Sequence, residues 1–375
     1  MNARRDQSRE RKLRIAYANA NFKRNDTRGR NAHIGQFITN TVALGHEVWG
    51  WSGNEHPEIR MFPRGRLARL LKLRQVDVLY VRLQENPPGV VRYSLSPNRQ
   101  IMGSPVIVWE FNTVPEFNRV MGRSENTVQQ SIEAFRHYGQ GCNLAICVSK
   151  LLSDYIRNKL GISHVLIVPN GSDPELFNPD VSPVKRINRN ANSLNVVWIG
   201  SADLAWHDFD LMHDAACLLW ERGEGARITF HLIGRNFGSM RDIPPNVHYY
   251  GSESYEILPH WLSAMDVGLC LYRSGPADFN SPLKLFDYMA SGLAVVGTPQ
   301  PQIKEVFDQL GQTDLLVPTD DPEMLARILV KLALNRDRVR SLGLAGRRLV
   351  IKFYNWKRVV RDIFDGINTM LDERR

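Results

Sequence analysis

Strand-length apolar runs alternate with helix-period segments along nearly the whole chain, and nothing else in the sequence limits the fold as tightly. Residues 13–17, 47–51, 78–81, 106–109, 144–148 and 165–168 are apolar runs bounded by polar or turn-forming residues, as buried strands are. Between them, residues 33–44 place Ile34, Phe37, Ile38, Thr41 and Val42 on one helical stripe, closed by Gly45. Strand, helix, strand in succession requires crossover connections, so the expected fold is α/β with mainly parallel sheets. The pattern stops at residues 178–193, a polar stretch with two prolines and no period, which reads as a linker. It then restarts with strands expected at 195–199, 228–233, 246–249, 267–271, 293–296 and 315–317. Helices are expected at 208–221, 255–265, 303–310, 321–334 and 336–353, with a last amphipathic helix over 355–375.

A length of 375 residues suits two such domains with separate cores. The apolar share of 43% and charged share of 23% are those of a soluble globular chain. No apolar run approaches the roughly 18 residues that span a bilayer, and the charged N-terminus lacks the apolar core of a signal peptide. Cys142, Cys147, Cys217 and Cys270 show no paired spacing and read as buried free thiols of a reducing compartment. The expected location is therefore cytoplasmic.

A formal charge of +9 and a pI near 9.5 favour anionic partners. Basic residues crowd a disordered arm at the N-terminus and the segment 60–74. There Arg64, Arg66, Arg69, Lys72 and Arg74 surround Leu67, Leu70, Leu71 and Leu73, as in a basic amphipathic helix. Such a helix either covers a sheet with its charges solvated or rests on an anionic membrane surface, peripherally at the inner face. No zinc-finger, helix-turn-helix or RNA-binding signature accompanies the charge, so no nucleic-acid partner is expected.

The segment from Asn280 to Val296 concentrates the chemistry. Ser281 and Pro282 suit the N-cap and first position of a helix that Gly292 ends before a buried strand. A Lys in the first turn, Lys284, can join the helix N-terminus in holding a phosphate, and Asp287 can accept both hydroxyls of a ribose. A solvated Lys–Asp pair is the plain alternative. The chain lacks G-x-G-x-x-G after its first strands, G-x-x-x-x-G-K-[ST], G-x-S-x-G and H-E-x-x-H. This argues against dehydrogenase, P-loop, α/β-hydrolase and zincin chemistry. The acids of Asp208-Phe209-Asp210 fit the start of a helix better than a metal site.

From about Leu13 to its C-terminus the chain resembles a family 4 glycosyltransferase of the two-domain GT-B type. The resemblance rests on several stretches. In the first half these are the Gly29 loop, Gly45-His46-Glu47-Val48 and Pro169-Asn170-Gly171-Ser172-Asp173. In the second they are Trp198-Ile199-Gly200, Leu232-Ile233-Gly234, Tyr250-Gly251, Ala264-Met265-Asp266-Val267-Gly268-Leu269 and the segment around Lys284. It implies two Rossmann-like domains facing each other across a cleft. After a basic arm (1–12), the acceptor domain would span 13–177, a linker 178–194 and the donor domain 195–354, with a C-terminal helix (355–375) packing back toward the first domain. It further implies retaining transfer from a UDP- or GDP-linked sugar to a glycan or lipid-linked acceptor, without a metal or other cofactor.

Carried over residue by residue, the donor would meet Asn280, Ser281, Lys284, Asp287, Gly200 and Ser201. Lys284, Arg235 and Arg273 are the available replacements for cations the family places at Ser201 and near His207. The family's outer acid falls on Phe279, leaving the neighbouring Asp278 as the candidate. Glu110 and Asn112 stand where many relatives carry a histidine, and Gly29, Arg30 and Asn31 would form the acceptor or phosphate loop. The rival readings are a GT-B binding or scaffolding protein without transferase activity, and a nucleotide-sugar hydrolase or epimerase.

Overall fold

The computed structural model describes residues 11–82, 105–187, 192–237 and 243–374. Residues 1–10 of the basic arm, and the side chains of Arg66, Leu67, Arg69 and Leu70 in the basic segment, lie outside that description.

The first sheet has seven strands: β1 (Arg14–Ala18), β2 (Glu47–Gly50), β3 (Arg60–Met61), β4 (Val78–Arg82), β5 (Val106–Phe111), β6 (Leu144–Cys147) and β7 (Val165–Ile167). They lie in the order β3-β2-β1-β4-β5-β6-β7, and every pairing is parallel. β4 and β5 are buried over their full length. Helices cover both faces of such a sheet, so these strands read as continuous apolar runs. Those helices are α1 (Gly29–Ala43), α2 (Arg66–Leu73), α3 (Phe117–Val120), α4 (Glu125–Gly139) and α5 (Lys150–Leu160).

The second sheet repeats the design with β8 (Leu194–Ser201), β9 (Ile228–Arg235), β10 (Val247–Tyr249), β11 (Val267–Cys270) and β12 (Ala294–Gly297), ordered β10-β9-β8-β11-β12 and again all parallel. Its helices are α6 (Phe209–Glu221), α7 (Leu258–Leu262), α8 (Leu283–Ala290), α9 (Pro301–Leu310), α10 (Pro322–Leu334) and α11 (Arg336–Phe353). The last helix, α12 (Trp356–Glu373), buries Val359, Val360, Ile363, Phe364 and Ile367 in the core of the first sheet, beside Ile15, Phe37 and Val108. Among the described residues no helix is long and apolar enough to cross a membrane.

The chain crosses between the two halves at residues 168–177 and at 354–356, and the crossings touch. The Ser172 N–H donates to the Tyr354 carbonyl at 2.8 Å, and the Trp356 N–H donates to the Ser172 carbonyl at 3.0 Å. A Cβ on Gly171 would lie 2.5 Å from the Tyr354 carbonyl oxygen, so only glycine permits this approach.

Local structure departs from the sequence pattern in four places. α1 begins at Gly29, so Gly29, Arg30 and Asn31 form a first helical turn and not a loop. The expected helix over 255–265 shrinks to α7, with Pro259 in its first turn. Residues 315–317 form no strand: a 3-10 turn, Thr313–Leu315, leaves Leu316 with a single bridge to Gly297. Ser281 does not cap α8, because its hydroxyl is taken by the backbone of Asn170.

In each sheet the strand order reverses once, between β1 and β4 and between β8 and β11. Ligands of open α/β sheets bind beyond the strand C-termini at such points. Contacts between Gly29 and Leu283, Asn170 and Ser281, and Phe117 and Trp206 turn the two edges toward each other.

Candidate donor cleft

At the second switch point the backbone is packed to its limit. A Cβ on Gly234 would fall 1.5 Å from the Gly200 carbonyl oxygen. One on Gly200 would fall 2.9 Å from the Trp198 ring and 3.0 Å from His207 Cε1. Glycine at both positions lets the last residues of β8 and β9 pack this closely against each other and against Trp198 and His207. Ser201, which follows Gly200, is buried, and its carbonyl accepts from His207 Nδ1 at 3.0 Å.

Lys284, in the first turn of α8, points into this end of the sheet. Its Nζ lies 4.7 Å from the Trp198 ring centre, 5.0 Å from that of Tyr272 and 3.4 Å from His207 Nε2. Burial pushes its ammonium down to about 8, so at neutral pH it is mostly charged with few solvent contacts.

Asp287 faces elsewhere. It is buried, and its Oδ1 accepts from Ser172 Oγ at 2.6 Å and from the Tyr255 hydroxyl at 3.3 Å. Burial pushes it up to about 7. The expected ribose acid is thus engaged with the domain crossing. Ser281 is tied there too: the Asn170 N–H donates to its Oγ at 3.1 Å, and Asn170 Nδ2 donates to its carbonyl at 2.6 Å.

Two further expectations need correction. Arg273 is not a free cation for a diphosphate, because it pairs with Asp210 and lies 3.5 Å from Asp208. These acids therefore serve Arg273, and Asp208 makes no side-chain cap to α6. Asp278 turns away from the outer-acid role: its Oδ2 accepts the Gly275 N–H at 2.9 Å, closing the 3-10 turn Pro276–Phe279. Burial raises its pKa above the usual carboxylate value. Phe279 packs on Tyr155 of α5 at 5.7 Å, and its carbonyl accepts from Ser149 Oγ at 2.7 Å, so this turn is an interdomain contact. Asn280 lies beside it, its carbonyl bonded by Gln300 Nε2 at 2.8 Å.

Across the cleft, β4 and β5 end in a buried ion cluster. Glu110 Oε1 accepts from Arg82 Nη1 at 2.7 Å and from Asn112 Nδ2 at 2.6 Å, with His33 Nε2 at 3.6 Å. Burial alone would raise the Glu110 carboxyl, but the Arg82 guanidinium and the Asn112 hydrogen bond outweigh it and hold it below its usual range. His33 is pushed down to about 3 by burial and by Arg82, so it is neutral here. Trp356 of α12 covers it at 5.0 Å.

Arg30 donates to the Asn19 carbonyl at 3.1 Å, and Asn31 grips the Lys23 backbone through both ends of its amide at 2.8 Å. Gly29 contributes close packing, since its Cβ would lie 3.1 Å from Leu283 of α8. Arg235 borders a groove of about 380 Å³ with Lys23, Asn25, Asp26, Thr27 and Arg28. Among the described residues no three His, Cys, Asp or Glu side chains gather into a group that could hold a metal.

Reading the sequence missed Arg82, His33, His207 and Tyr255. Arg82 ends an apolar run, where a buried cation leaves no periodic signal. The others owe their places to partners far along the chain.

Residues 193–335 match the family model described as glycosyl transferases group 1. The match covers most of the second domain. The matched region holds the Gly200, Gly234 and Lys284 end of the cleft. TuaH of Bacillus subtilis (strain 168), named for a glycosyltransferase role in teichuronic acid biosynthesis, is 28% identical over 174 residues, 43% of this chain and 41% of TuaH. The match thus spans less than half of that relative. Sucrose-phosphate synthase from Thermosynechococcus elongatus superposes with a TM-score of 0.69 at 15% identity, covering 96% of this chain and 100% of that one. HepE of Anabaena, in a structure that holds UDP-glucose, gives 0.67 at 12% identity over 95% and 100%. WaaG, a glycosyltransferase of lipopolysaccharide biosynthesis, gives 0.63 at 14% over 93% and 98%. At these identities the likeness establishes the fold, which is the two-domain GT-B fold over nearly the whole chain.

Proposed function

We propose that the chain transfers a sugar from a nucleotide-diphosphate donor, UDP- or GDP-linked, to a glycan or lipid-linked acceptor, with retention of anomeric configuration and without a metal. The observation that carries this is the Lys284 ammonium in the first turn of α8, beside Trp198 and His207 at the C-terminal end of β8, within the region that matches the group 1 family model. A cation and a helix N-terminus at a sheet switch point suit a diphosphate. In a retaining transfer the leaving diphosphate can take the acceptor's proton, so the protein's task is positioning and charge stabilisation. That fits an ionised, hydrogen-bonded Glu110, which offers no proton. A role in polysaccharide or glycolipid assembly fits the match to TuaH.

Calorimetry with a panel of UDP- and GDP-sugars tests the reading. Binding of at least one donor is expected, with Lys284→Ala weakening it by about 1–3 kcal/mol, the worth of a charged hydrogen bond. No binding to any donor overturns it. The turned-back Asp278, the packed Phe279 and the neutralised Arg273 favour a second reading, a binding or scaffolding protein. Donor binding without turnover on any acceptor supports that one. Product analysis with and without acceptor separates transfer from hydrolysis or epimerisation.

A further inference from the structure

We propose that His207 is a positioning residue, a neutral imidazole whose Nε2 lone pair holds the Lys284 ammonium at the cleft until a diphosphate takes it over. The proposal rests on the donor reading given above.

Backbone pairing fixes the ring. Residues 206–208 run antiparallel to 271–273: the Asp208 N–H donates to the Leu271 carbonyl at 3.2 Å, and the Arg273 N–H donates to the Trp206 carbonyl at 3.0 Å. The imidazole is wedged among Trp198 at 5.2 Å, Tyr272 at 5.4 Å and Trp206 at 5.8 Å. Only a glycine at position 200 leaves room for it.

The hydrogen bonds then assign the tautomer. The Ser201 carbonyl can only accept, so Nδ1 carries the hydrogen and Nε2 keeps a lone pair. That lone pair lies 3.4 Å from Lys284 Nζ, which as an ammonium can only donate. Protonating the ring would cost both its burial and repulsion from Lys284, and these push its pKa down to about 2. The imidazole is therefore an acceptor at any working pH. The other titratable groups facing the ammonium, the Cys270 thiol and the Tyr272 hydroxyl, are kept neutral by burial. One lone pair and two ring faces bind an ammonium less strongly than phosphate oxygens do, so a diphosphate draws Lys284 from this cradle. The resemblance expects a cation near His207; here the cation comes from α8 and the imidazole orients it.

Two readouts test this on the full chain. The first is the pH profile of Lys284 acetylation without nucleotide, followed by peptide mass spectrometry. The second is the affinity for UDP and GDP. His207→Phe keeps a ring and removes the lone pair, so Lys284 should become reactive at lower pH and nucleotide affinity should fall about tenfold. His207→Gln, whose amide oxygen can stand in for Nε2, should restore both toward wild type. A Lys284 profile unchanged in His207→Phe, or a Gln variant that behaves like Phe, overturns the proposal. If the Phe variant does not fold, His207→Asn decides by the same criteria, since its short amide reaches Ser201 and leaves Lys284 without an acceptor. Failure of UDP and GDP to bind the wild type would sink the donor reading alone, and the acetylation profile still decides the pairing.

Discussion

Asp287 makes the stability of this chain fall with rising pH in a window that the structure specifies. Its carboxyl is buried beneath α8, with Ser172 and Tyr255 as donors, and burial pushes it up to about 7 from an ordinary 3.8. The folded chain thus keeps a proton that the unfolded chain releases. The resulting stabilisation is fully present below about pH 3.8 and is lost as pH rises through about 7. A shift of roughly 3 units corresponds to about 4 kcal/mol in all, of which ~3 kcal/mol disappears between about pH 5 and about pH 8. Asp287→Asn removes the titration while its Oδ1 can still accept from Ser172. Other titrations work in the opposite sense: His207 adds stability as pH rises from about 2 to 6.5, His33 from about 3 to 6.5 and Lys284 from about 8 to 10.5. These are common to wild type and variant, so they cancel in the difference. Calorimetric unfolding of both proteins across this range should show the variant gaining on the wild type as pH rises, by a few kcal/mol at the transition that melts α8. Parallel curves with a constant offset would refute the reasoning, because Asp287 would then be ionised in the folded chain or solvated.

The remaining perturbations test packing and the buried charges. Gly234→Ala places a methyl on the Gly200 carbonyl oxygen and must part the ends of β8 and β9, an overpacking cost of about 1–3 kcal/mol or more; an unchanged Tm would contradict the close approach. Arg82→Met leaves Glu110 as an uncompensated buried charge, expected to cost about 3–5 kcal/mol in chemical denaturation, and adding Glu110→Gln should recover part of it. A neutral single variant would mean that the cluster is solvated.

The sheets were legible because the buried central strands of a parallel sheet are unbroken apolar runs: β4 and β5 stand out in the chain itself. The segment around Lys284 was legible for a similar reason, since Gly292, at φ 77°, ends a helix in a local way. What stayed hidden depends on distant partners. Ser281 obeys the N-cap pattern, yet its hydroxyl serves Asn170, 111 residues away. Arg273 looked available as a cation until the fold brought Asp210, 63 residues away, against it. Asp278, one position from the family's acid, was drawn back by the Gly275 N–H three residues before it. Spacing along the chain identifies which residues share an element; it cannot show which of them the fold has already occupied.

One helix, α8, carries Lys284 toward the cleft and is also tied to the strap that crosses between the halves at residues 168–177. The strap is bonded near the start of α8 by Asn170 and Ser281, at its middle by Ser172 and Asp287, and at its end through Arg347, which donates to the carbonyls of Pro174, Phe177 and Ala290. Lys284 lies between the first two of these points. A ligand that moves the first turn of α8 therefore also bears on the strap, and by reciprocity a loosened strap must weaken the ligand. Asn170→Ala removes the amide and leaves the buried Ser281 carbonyl without it, at about 1–3 kcal/mol. The variant should show a broader distribution of interdomain distances in small-angle scattering, and a donor nucleotide should narrow it again at reduced affinity. Identical scattering and identical affinity in the two proteins would show that strap and cleft are independent, and α8 would then serve the cleft alone.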